Sequence, residues 1–188
     1  RITFSDERDE LLETGGGILH ASSLLTCNNP EHKFLVHNVD ILSNLRLEEL
    51  WAYSSESSDA VLVVSKRKTA RYLIFDDDMK LVGWTNIQTG EVKSPFNEVH
   101  ETIAKLHSNE LDIEKYHLRA FAGIHYIKTK LIDFMHSWPS KFSIIDFYLK
   151  NCDRHEIKGY TLEDLKLIDV GKLHTLKDAN NFATILQE

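Results

Sequence analysis

The sequence predicts an α/β protein with a mainly parallel central sheet, and two observations lead to this. Short apolar runs rich in β-branched residues, such as "DAVLVVSK" at residues 59–66, are typical of strands covered on both faces. Between them lie segments with the helical spacing of apolar side chains, such as "NLRLEELWAYSSES" at residues 44–57. Buried strands that alternate with helices indicate helices packed on the faces of one sheet.

The predicted elements begin with a strand over residues 2–4 and a glycine-rich turn that leads into a helix, with Thr14 as its candidate cap. A buried strand over residues 33–36 precedes the helix of residues 44–57. The remaining predicted strands cover residues 59–66, two runs within 71–91 joined by an acidic turn, 119–127, 156–160 and 165–171. The remaining predicted helices cover residues 128–138, 143–152 and 173–187, and residues 94–118 are expected to be irregular.

The composition indicates one globular domain over residues 1–188 without a nucleic-acid partner. A chain of 188 residues that is 42% hydrophobic can bury one sizeable core. The formal net charge is −7, from 22 Lys+Arg and 29 Asp+Glu, and no basic run appears, which argues against a duplex nucleic-acid binder. A phosphorylated ligand stays open, because a few local cations or a metal can reverse the local field.

Cysteine usage and hydropathy favour a cytoplasmic protein. Cys27 and Cys152 lie far apart and form no CxxC pair, which argues against a zinc ribbon and a disulfide-dense module and fits a reducing cytosol. No apolar run approaches the ~20 residues of a membrane span, and no signal peptide is visible. We therefore expect no membrane partner.

Asp40 is the first candidate site residue, because it follows an apolar, strand-like run and a buried carboxylate there would need a partner. Asp169 in "LIDVGK" repeats this pattern and is the candidate partner. Two carboxylates at neighbouring strand ends would repel each other unless a cation lay between them, and Mg²⁺ suits such a site. The alternative is that each aspartate caps the turn that follows it, which spacing alone favours because 129 residues separate the two.

Two glycine-containing stretches are further candidates for ligand contact. In "TGGG", Gly15, Gly16 and Gly17 would permit close backbone approach to a ligand, with helix N–H groups able to donate, although a flexible turn is the simpler interpretation. In "AFAGIHYI", Ala122 and Gly123 interrupt a bulky strand, which marks a bulge, a ligand contact or close helix packing. No GxSxG elbow or HExxH spacing is present, so nucleophilic catalysis has little support.

Eight segments taken in order cover nearly the whole chain: "SDERDELLETGGGI", "FLVHNVDIL", "LVVSKRKTARYLIFD", "LVGWTN", "AFAGIHYI", "FSIIDFYL", "IKGY" and "DVGKLHTLKDA". In this collinear order they resemble the sugar-1-phosphate nucleotidyltransferases, also called nucleoside-diphosphate-sugar pyrophosphorylases. The resemblance includes the mannose-1-phosphate guanylyltransferase and N-acetylmuramate-1-phosphate uridylyltransferase types. It implies a Rossmann-like three-layer α/β/α sandwich with a mixed, mainly parallel central sheet.

The resemblance also implies a reaction and the residues that serve it. Asp40 and Asp169 stand at the two metal-binding aspartates of the family, with Mg²⁺ as the cofactor. An oxygen of a sugar 1-phosphate would attack the α-phosphorus of a nucleoside triphosphate and release pyrophosphate. Glu13 and the glycines of "ETGGG" would lie against the nucleotide, and Ala122 and Gly123 would line the sugar side. The base, the sugar and the oligomeric state, with a homo-oligomer as one option, stay open.

One departure from the family pattern concerns the amino terminus. The family begins with a strand and a glycine-rich loop that carries Arg, followed by a Lys that reaches the phosphates. This chain opens at Arg1 without them. The resemblance therefore implies that the N-terminal strand and loop are missing, and that the 188-residue chain by itself transfers little nucleotide.

Two alternatives of other classes remain open at this point. The first is a non-catalytic sugar-nucleotide-binding or regulatory module of the same fold. The second is a GT-A glycosyltransferase, for which "DDD" at residues 76–78 superficially offers the DxD-type motif. This triplet lies in a predicted hairpin turn, where we expect it to stay solvated.

Overall fold

The structure is a computed structural model that describes residues 2–25, 29–54, 58–104, 111–113, 115–171 and 176–185. Cys27 lies outside the described residues, and so do residues 172–175 of the segment "DVGKLHTLKDA". Within the described residues, none of the helices has the length and apolar character needed to cross a membrane.

Ten strands are formed within the described residues, most of them where apolar runs predict them. They are β1 (Lys33–His37), β2 (Ile41–Ser43), β3 (Ala60–Ser65), β4 (Arg71–Phe75), β5 (Leu81–Asn86), β6 (Glu91–Lys93), β7 (Asp112–Ile113), β8 (Tyr116–Lys128), β9 (Ile157–Thr161) and β10 (Leu167–Asp169). β3 is buried at every position, as its continuous apolar run predicts. The prediction of a strand over residues 2–4 is wrong, since no strand forms there and the side chains of Ile2 and Phe4 are exposed.

The helices of the described residues are short. They are α1 (Glu13–His20), α2 (Ser22–Leu25), α3 (Leu47–Tyr53), α4 (Asn97–Ala104), α5 (Lys130–Met135), α6 (Ile144–Asn151) and α7 (Leu176–Ile185). α6 begins as predicted, because the Ser143 hydroxyl accepts the N–H of Ile145 and caps the helix. The expectation of an irregular segment at residues 94–118 is wrong, since α4, β7 and the start of β8 lie there.

The central sheet is mixed, and the expectation that it is mainly parallel is wrong. β8 runs through its middle for 13 residues, antiparallel to β1, β3, β4 and β7. The hairpins β4–β5 and β5–β6 are also antiparallel, and within the described residues only the pair β3–β9 is parallel. Apolar strands are buried on both faces here because helices cover both faces, and that burial says nothing about strand direction.

Helices on both faces of the sheet give three layers, as the resemblance implies. On one face, α1, α5 and α6 bury Ile18, Leu131 and Phe147 against β3 and β8. On the other face, α3 buries Leu50 in one cluster and α4 buries Val99 in a second. Burial of each such side chain stabilises the fold by roughly 1.5–3 kcal/mol. β2 and β10 form a separate two-stranded sheet outside the central one.

Candidate functional site

Asp40 and Asp169 are brought together by the two-stranded sheet of β2 and β10. Asp169 pairs with Ile41, and the N–H of Val170 donates to the carbonyl oxygen of Asp40 at 2.8 Å. A Cβ placed on Gly171 would lie 3.1 Å from Oδ1 of Asp169 and 3.3 Å from Oδ2 of Asp40. The separation of these two oxygens therefore cannot exceed the sum of the two distances. The two carboxylates converge on one point beside Gly171.

The surroundings of this pair differ from the sequence expectation. Both aspartates are exposed, so neither pays for desolvation, and β10 does not belong to the central sheet. In the part of the chain that the structure describes, no group of three or more His, Cys, Asp or Glu side chains is placed to hold a metal. Mg²⁺ is commonly bound through only one or two carboxylates, together with water and substrate phosphates. The pair fits such a partial ligand set.

Gly123 lies at a bulge of β8, as its place inside a strand predicts. β3 pairs Leu62 with His125 but Val64 with Phe121, so β8 carries extra residues at this point. The backbone of Gly123 has φ +76°, a conformation that favours glycine. Its carbonyl oxygen accepts the N–H of Asn38 at 3.0 Å, which fastens the segment before Asp40 to the bulge.

Ala122, the other residue expected on the sugar side, is buried in the core. It belongs to the cluster that contains Leu50 of α3 and Ile124 of β8. Its contribution to a ligand site remains a prediction.

The glycines of "TGGG" lie inside α1, so the expectation of a turn before the helix is wrong. The helix begins at Glu13, and Thr14 is a helical residue rather than a cap. The N–H groups of Gly15 and Gly16 donate to the carbonyl oxygen of Phe142 at 3.0 and 3.3 Å. A Cβ on Gly15 would collide with Phe142, and one on Gly16 would collide with the Ser140 carbonyl. These glycines thus allow α1 to pack closely, and a nucleotide contact remains a prediction.

The fold forms a cleft of about 620 Å³, which we call the first cleft. It is formed by the loop before β4, by β4, β5, β6 and β8, and by the beginnings of α1 and α6. Its lining residues are Glu13, Arg67, Thr69, Arg71, Leu73, Trp84, Asn86, Glu91, Lys93, Phe121, Ser143, Ile145, Asp146 and Leu149. Glu13 is thus the one residue of the predicted nucleotide contacts that lines this cleft.

The first cleft divides into two electrostatic regions. Lys93 lies 3.2 Å from Asp146 and 4.0 Å from Glu91, so its charge is matched by carboxylates. Arg67 donates from Nη2 to the carbonyl oxygen of Phe121 at 3.0 Å, and Arg71 is exposed at the start of β4. The arginines can bind an anion, while the carboxylates can accept hydrogen bonds from hydroxyl groups.

The sequence interpretation assigned no role to the arginines or to the aromatic wall of this cleft. A usable signal was present in "SKRKTARY", where Arg67, Thr69 and Arg71 alternate just before and at the start of a strand. Trp84 and Phe121 could not be assigned to one cleft from the sequence, because β5 and β8 are far apart in the chain.

The acidic triplet at residues 76–78 forms the turn between β4 and β5, as expected. Oδ1 of Asp76 accepts the N–H groups of Asp78 and Lys80 at 3.1 and 2.8 Å. Asp77 and Asp78 are exposed. The turn is explained by local hydrogen bonding, which favours a structural role over a DxD motif.

The comparison with known proteins rests on structure alone, since no protein-family model and no curated protein matches the sequence. HddC from Yersinia pseudotuberculosis superposes with a TM-score of 0.59 and 18% identity, over 93% of this chain and 64% of HddC. The complex of HddC with GMP-PN gives a TM-score of 0.58 and 19% identity, with the same coverage. The inositol-1-phosphate CTP transferase from T. maritima gives a TM-score of 0.62 and 13% identity, over 94% of this chain and 63% of that one.

These likenesses establish the fold. At such low identity a shared architecture is what the superposition shows, and the chain has the mixed α/β nucleotidyltransferase-type fold of these proteins. The chain spans less than two thirds of the length of either protein.

Proposed function

We propose that the protein transfers a nucleotidyl group from a nucleoside triphosphate to a sugar 1-phosphate. An oxygen of the sugar phosphate forms a bond to the α-phosphorus, the bond from that phosphorus to the bridging oxygen breaks, and the electron pair leaves with pyrophosphate. The observation that carries this proposal is the convergence of Asp40 and Asp169 on Gly171, in a fold shared with a CTP transferase. HddC bound to GMP-PN supports a nucleotide ligand for this fold.

The two aspartates would hold Mg²⁺ through their carboxylate oxygens. When bound, the ion supplies positive charge that offsets the negative charge developing on the phosphoryl oxygens. Because both carboxylates are exposed, they are accessible to a phosphate that completes the ligand set. Glu13, Gly15, Gly16 and Gly17 would lie on the nucleotide side, and Ala122 and Gly123 on the sugar side.

The first cleft has the chemistry that a phosphorylated sugar requires. Arg67 and Arg71 would bind the phosphate, because guanidinium groups pair with phosphate oxygens in a planar, two-pronged geometry. Glu91 and Asp146 would accept hydrogen bonds from sugar hydroxyls, and the ring of Trp84 offers an apolar face to the sugar.

One backbone hydrogen bond and two short stretches of chain connect this cleft to the aspartates. Phe121, which lines the cleft, lies two residues before Gly123 on β8, and Gly123 in turn accepts the N–H of Asn38. Asn38 lies two residues before Asp40. The bulge of β8 therefore lies between the proposed sugar pocket and the proposed metal site, and the proposal requires the phosphate of the bound sugar to reach past it to the aspartates.

The test is pyrophosphate release by the complete gene product, with Mg²⁺ and a panel of nucleoside triphosphates and sugar 1-phosphates. Arg71→Gln should raise the KM for the sugar phosphate roughly 10- to 100-fold, which corresponds to the loss of one charged hydrogen bond. Arg154→Gln is the matched control, because that exposed side chain pairs with Asp153 outside the cleft. No pyrophosphate release with any pair, or an unchanged KM in Arg71→Gln, would contradict the proposal.

A further inference from the structure

A second cleft lies at the carboxyl ends of the parallel strands β3 and β9. β3 ends at Ser65 and β9 ends at Thr161, and both residues line a cleft of about 670 Å³, comparable in size to the first. In α/β sheets, ligands bind beyond the carboxyl ends of parallel strands. Of the residues that line this second cleft, the proposed reaction uses only Arg67.

Two hydroxyl groups in the wall of the second cleft have no hydrogen-bond partner among the described residues. They are Oγ of Ser65 and Oγ1 of Thr161, both inaccessible to solvent, and Ser65 as a whole is only 7% exposed. Buried polar atoms nearly always have partners, because an unpaired one costs about 1–3 kcal/mol. Because both residues line the cleft, a change of rotamer at either side chain would bring its oxygen to the cleft surface, where a polar ligand can pair with it.

The charge around the second cleft favours an anion. Lys66, Arg67 and Lys166 line it, against the carboxylate of Glu163. Lys66 forms an ion pair with Asp112 at 2.8 Å, and Lys166 is exposed. Arginine and lysine side chains are common phosphate-binding groups in proteins.

The far wall of the second cleft is held in place by Asn44. Its Oδ1 accepts the N–H of Lys166 at 2.8 Å, and its Nδ2 donates to the carbonyl oxygen of Asp164 at 3.0 Å. This clasp fixes the segment that carries Lys166 before a ligand arrives, which reduces the entropy cost of binding.

We propose that the second cleft binds a small phosphorylated ligand that also carries hydroxyl groups. The phosphate contacts Lys66, Arg67 and Lys166, and the hydroxyls of the ligand pair with Ser65 and Thr161. Arg67 lines both clefts and donates to Phe121 in the first. Occupation of the second cleft therefore acts on a side chain that also lines the first.

The test is an NMR titration of the ¹⁵N-labelled protein with inorganic phosphate and, separately, with glycerol 3-phosphate. We expect saturable shifts of the amide signals of residues 65–67 and 161–167, with tighter binding of glycerol 3-phosphate. Lys166→Gln should weaken the response of these signals roughly tenfold, while the signals of Trp84 and Asn86 in the first cleft respond as in the wild type. Lys150→Gln, an equal charge change at an exposed site on α6, should leave both sets unchanged.

The hydroxyl contacts are tested with Ser65→Ala, which should weaken glycerol 3-phosphate but not inorganic phosphate. Unshifted signals at residues 65–67 and 161–167 would overturn the proposal. So would equal weakening by Lys150→Gln, since the response would then be a general charge effect. The proposal would also be overturned if inorganic phosphate and glycerol 3-phosphate bound with equal affinity and Ser65→Ala changed neither. The cleft would then bind only adventitious phosphate.

Discussion

Asp40 and Asp169 present carboxylate oxygens to the same point beside Gly171, although 129 residues separate them in the chain. Repulsion between exposed carboxylates is small, because two like charges at about 4 Å repel by only roughly 1 kcal/mol in water. The same arrangement offers two oxygens to one divalent cation.

The metal prediction concerns Asp40→Asn. We expect this change to reduce Mn²⁺ or Mg²⁺ affinity at least tenfold and to abolish turnover in the complete gene product, because an amide lacks the carboxylate charge. The midpoint of thermal unfolding should change little, since Asp40 is exposed. Calorimetric metal titration and circular dichroism provide the two measurements.

Asp164→Asn is the control for this experiment, because Asp164 is an exposed aspartate in the loop before β10. Its replacement should leave metal affinity unchanged. If Asp40→Asn keeps near-normal turnover and metal affinity, Asp40 only supports the turn before β2.

Gly123→Ala should destabilise the protein more than Gly90→Ala. Both glycines have positive φ, +76° and +73°, so an alanine at either is strained by about 1–2 kcal/mol. Only at Gly123 would the Cβ also meet a neighbour, the side-chain nitrogen of Asn38 at 2.7 Å, which adds about 1–3 kcal/mol. Urea unfolding of the two variants measures the difference.

The same Gly123 variant tests the sugar pocket. We expect its affinity for a sugar phosphate to fall, because the added methyl group disturbs the bulge that lies between the first cleft and Asp40. If the Gly123→Ala protein folds and binds the sugar phosphate with unchanged affinity, this part of β8 does not belong to the site.

Gly16→Ala and Gly17→Ala should differ in sign. At Gly16 the Cβ would run into the Ser140 carbonyl, a backbone group that cannot rotate away, so we expect a loss of about 1–3 kcal/mol. At Gly17 the Cβ would meet only the carboxylate end of Glu7, at 2.7 Å, which is flexible. Alanine is the better helix former by up to about 1 kcal/mol, so Gly17→Ala should be neutral or stabilising. Equal stability of the two variants would show that α1 is not packed as closely as described.

His125 should make stability depend on pH. Its side chain is 1% exposed, both ring nitrogens lack a partner among the described residues, and burial lowers its pKa from 6.5 to about 3. Between these values the unfolded chain binds a proton here and the folded chain does not. The free energy of unfolding therefore falls as the pH drops below about 6.5, by about 1.4 kcal/mol per pH unit from this group.

His125→Phe should flatten this part of the pH profile, measured by urea unfolding between about pH 7.5 and about pH 5. It should leave stability at neutral pH equal or higher, because it removes two unpaired buried polar atoms. His136→Gln is the control, because His136 is exposed directly after α5, and this change should leave the profile unchanged. If His125→Phe keeps the wild-type dependence of unfolding free energy on pH, other groups cause that dependence.

The local elements were determined by the sequence alone, because they depend on near neighbours. The continuous β-branched run of residues 60–65 is a buried strand, the segment of residues 143–152 contains a helix, and the acidic turn at Asp76 joins two strands. The α/β class and the two candidate aspartates followed from such patterns, and for the aspartates also from the resemblance.

Tertiary structure decided which of these elements meet and in which direction they run. Strand direction is set by long-range pairing along β8, which no local period encodes, and so the mainly parallel sheet was a wrong expectation. Gly15 and Gly16 of α1 are explained by Phe142 and Ser140, more than 120 residues further along the chain. The same holds for the first cleft, which combines side chains from six elements. Asp40 and Asp169 become neighbours only because β2 pairs with β10, and that pairing depends on packing across the whole domain rather than on either segment alone.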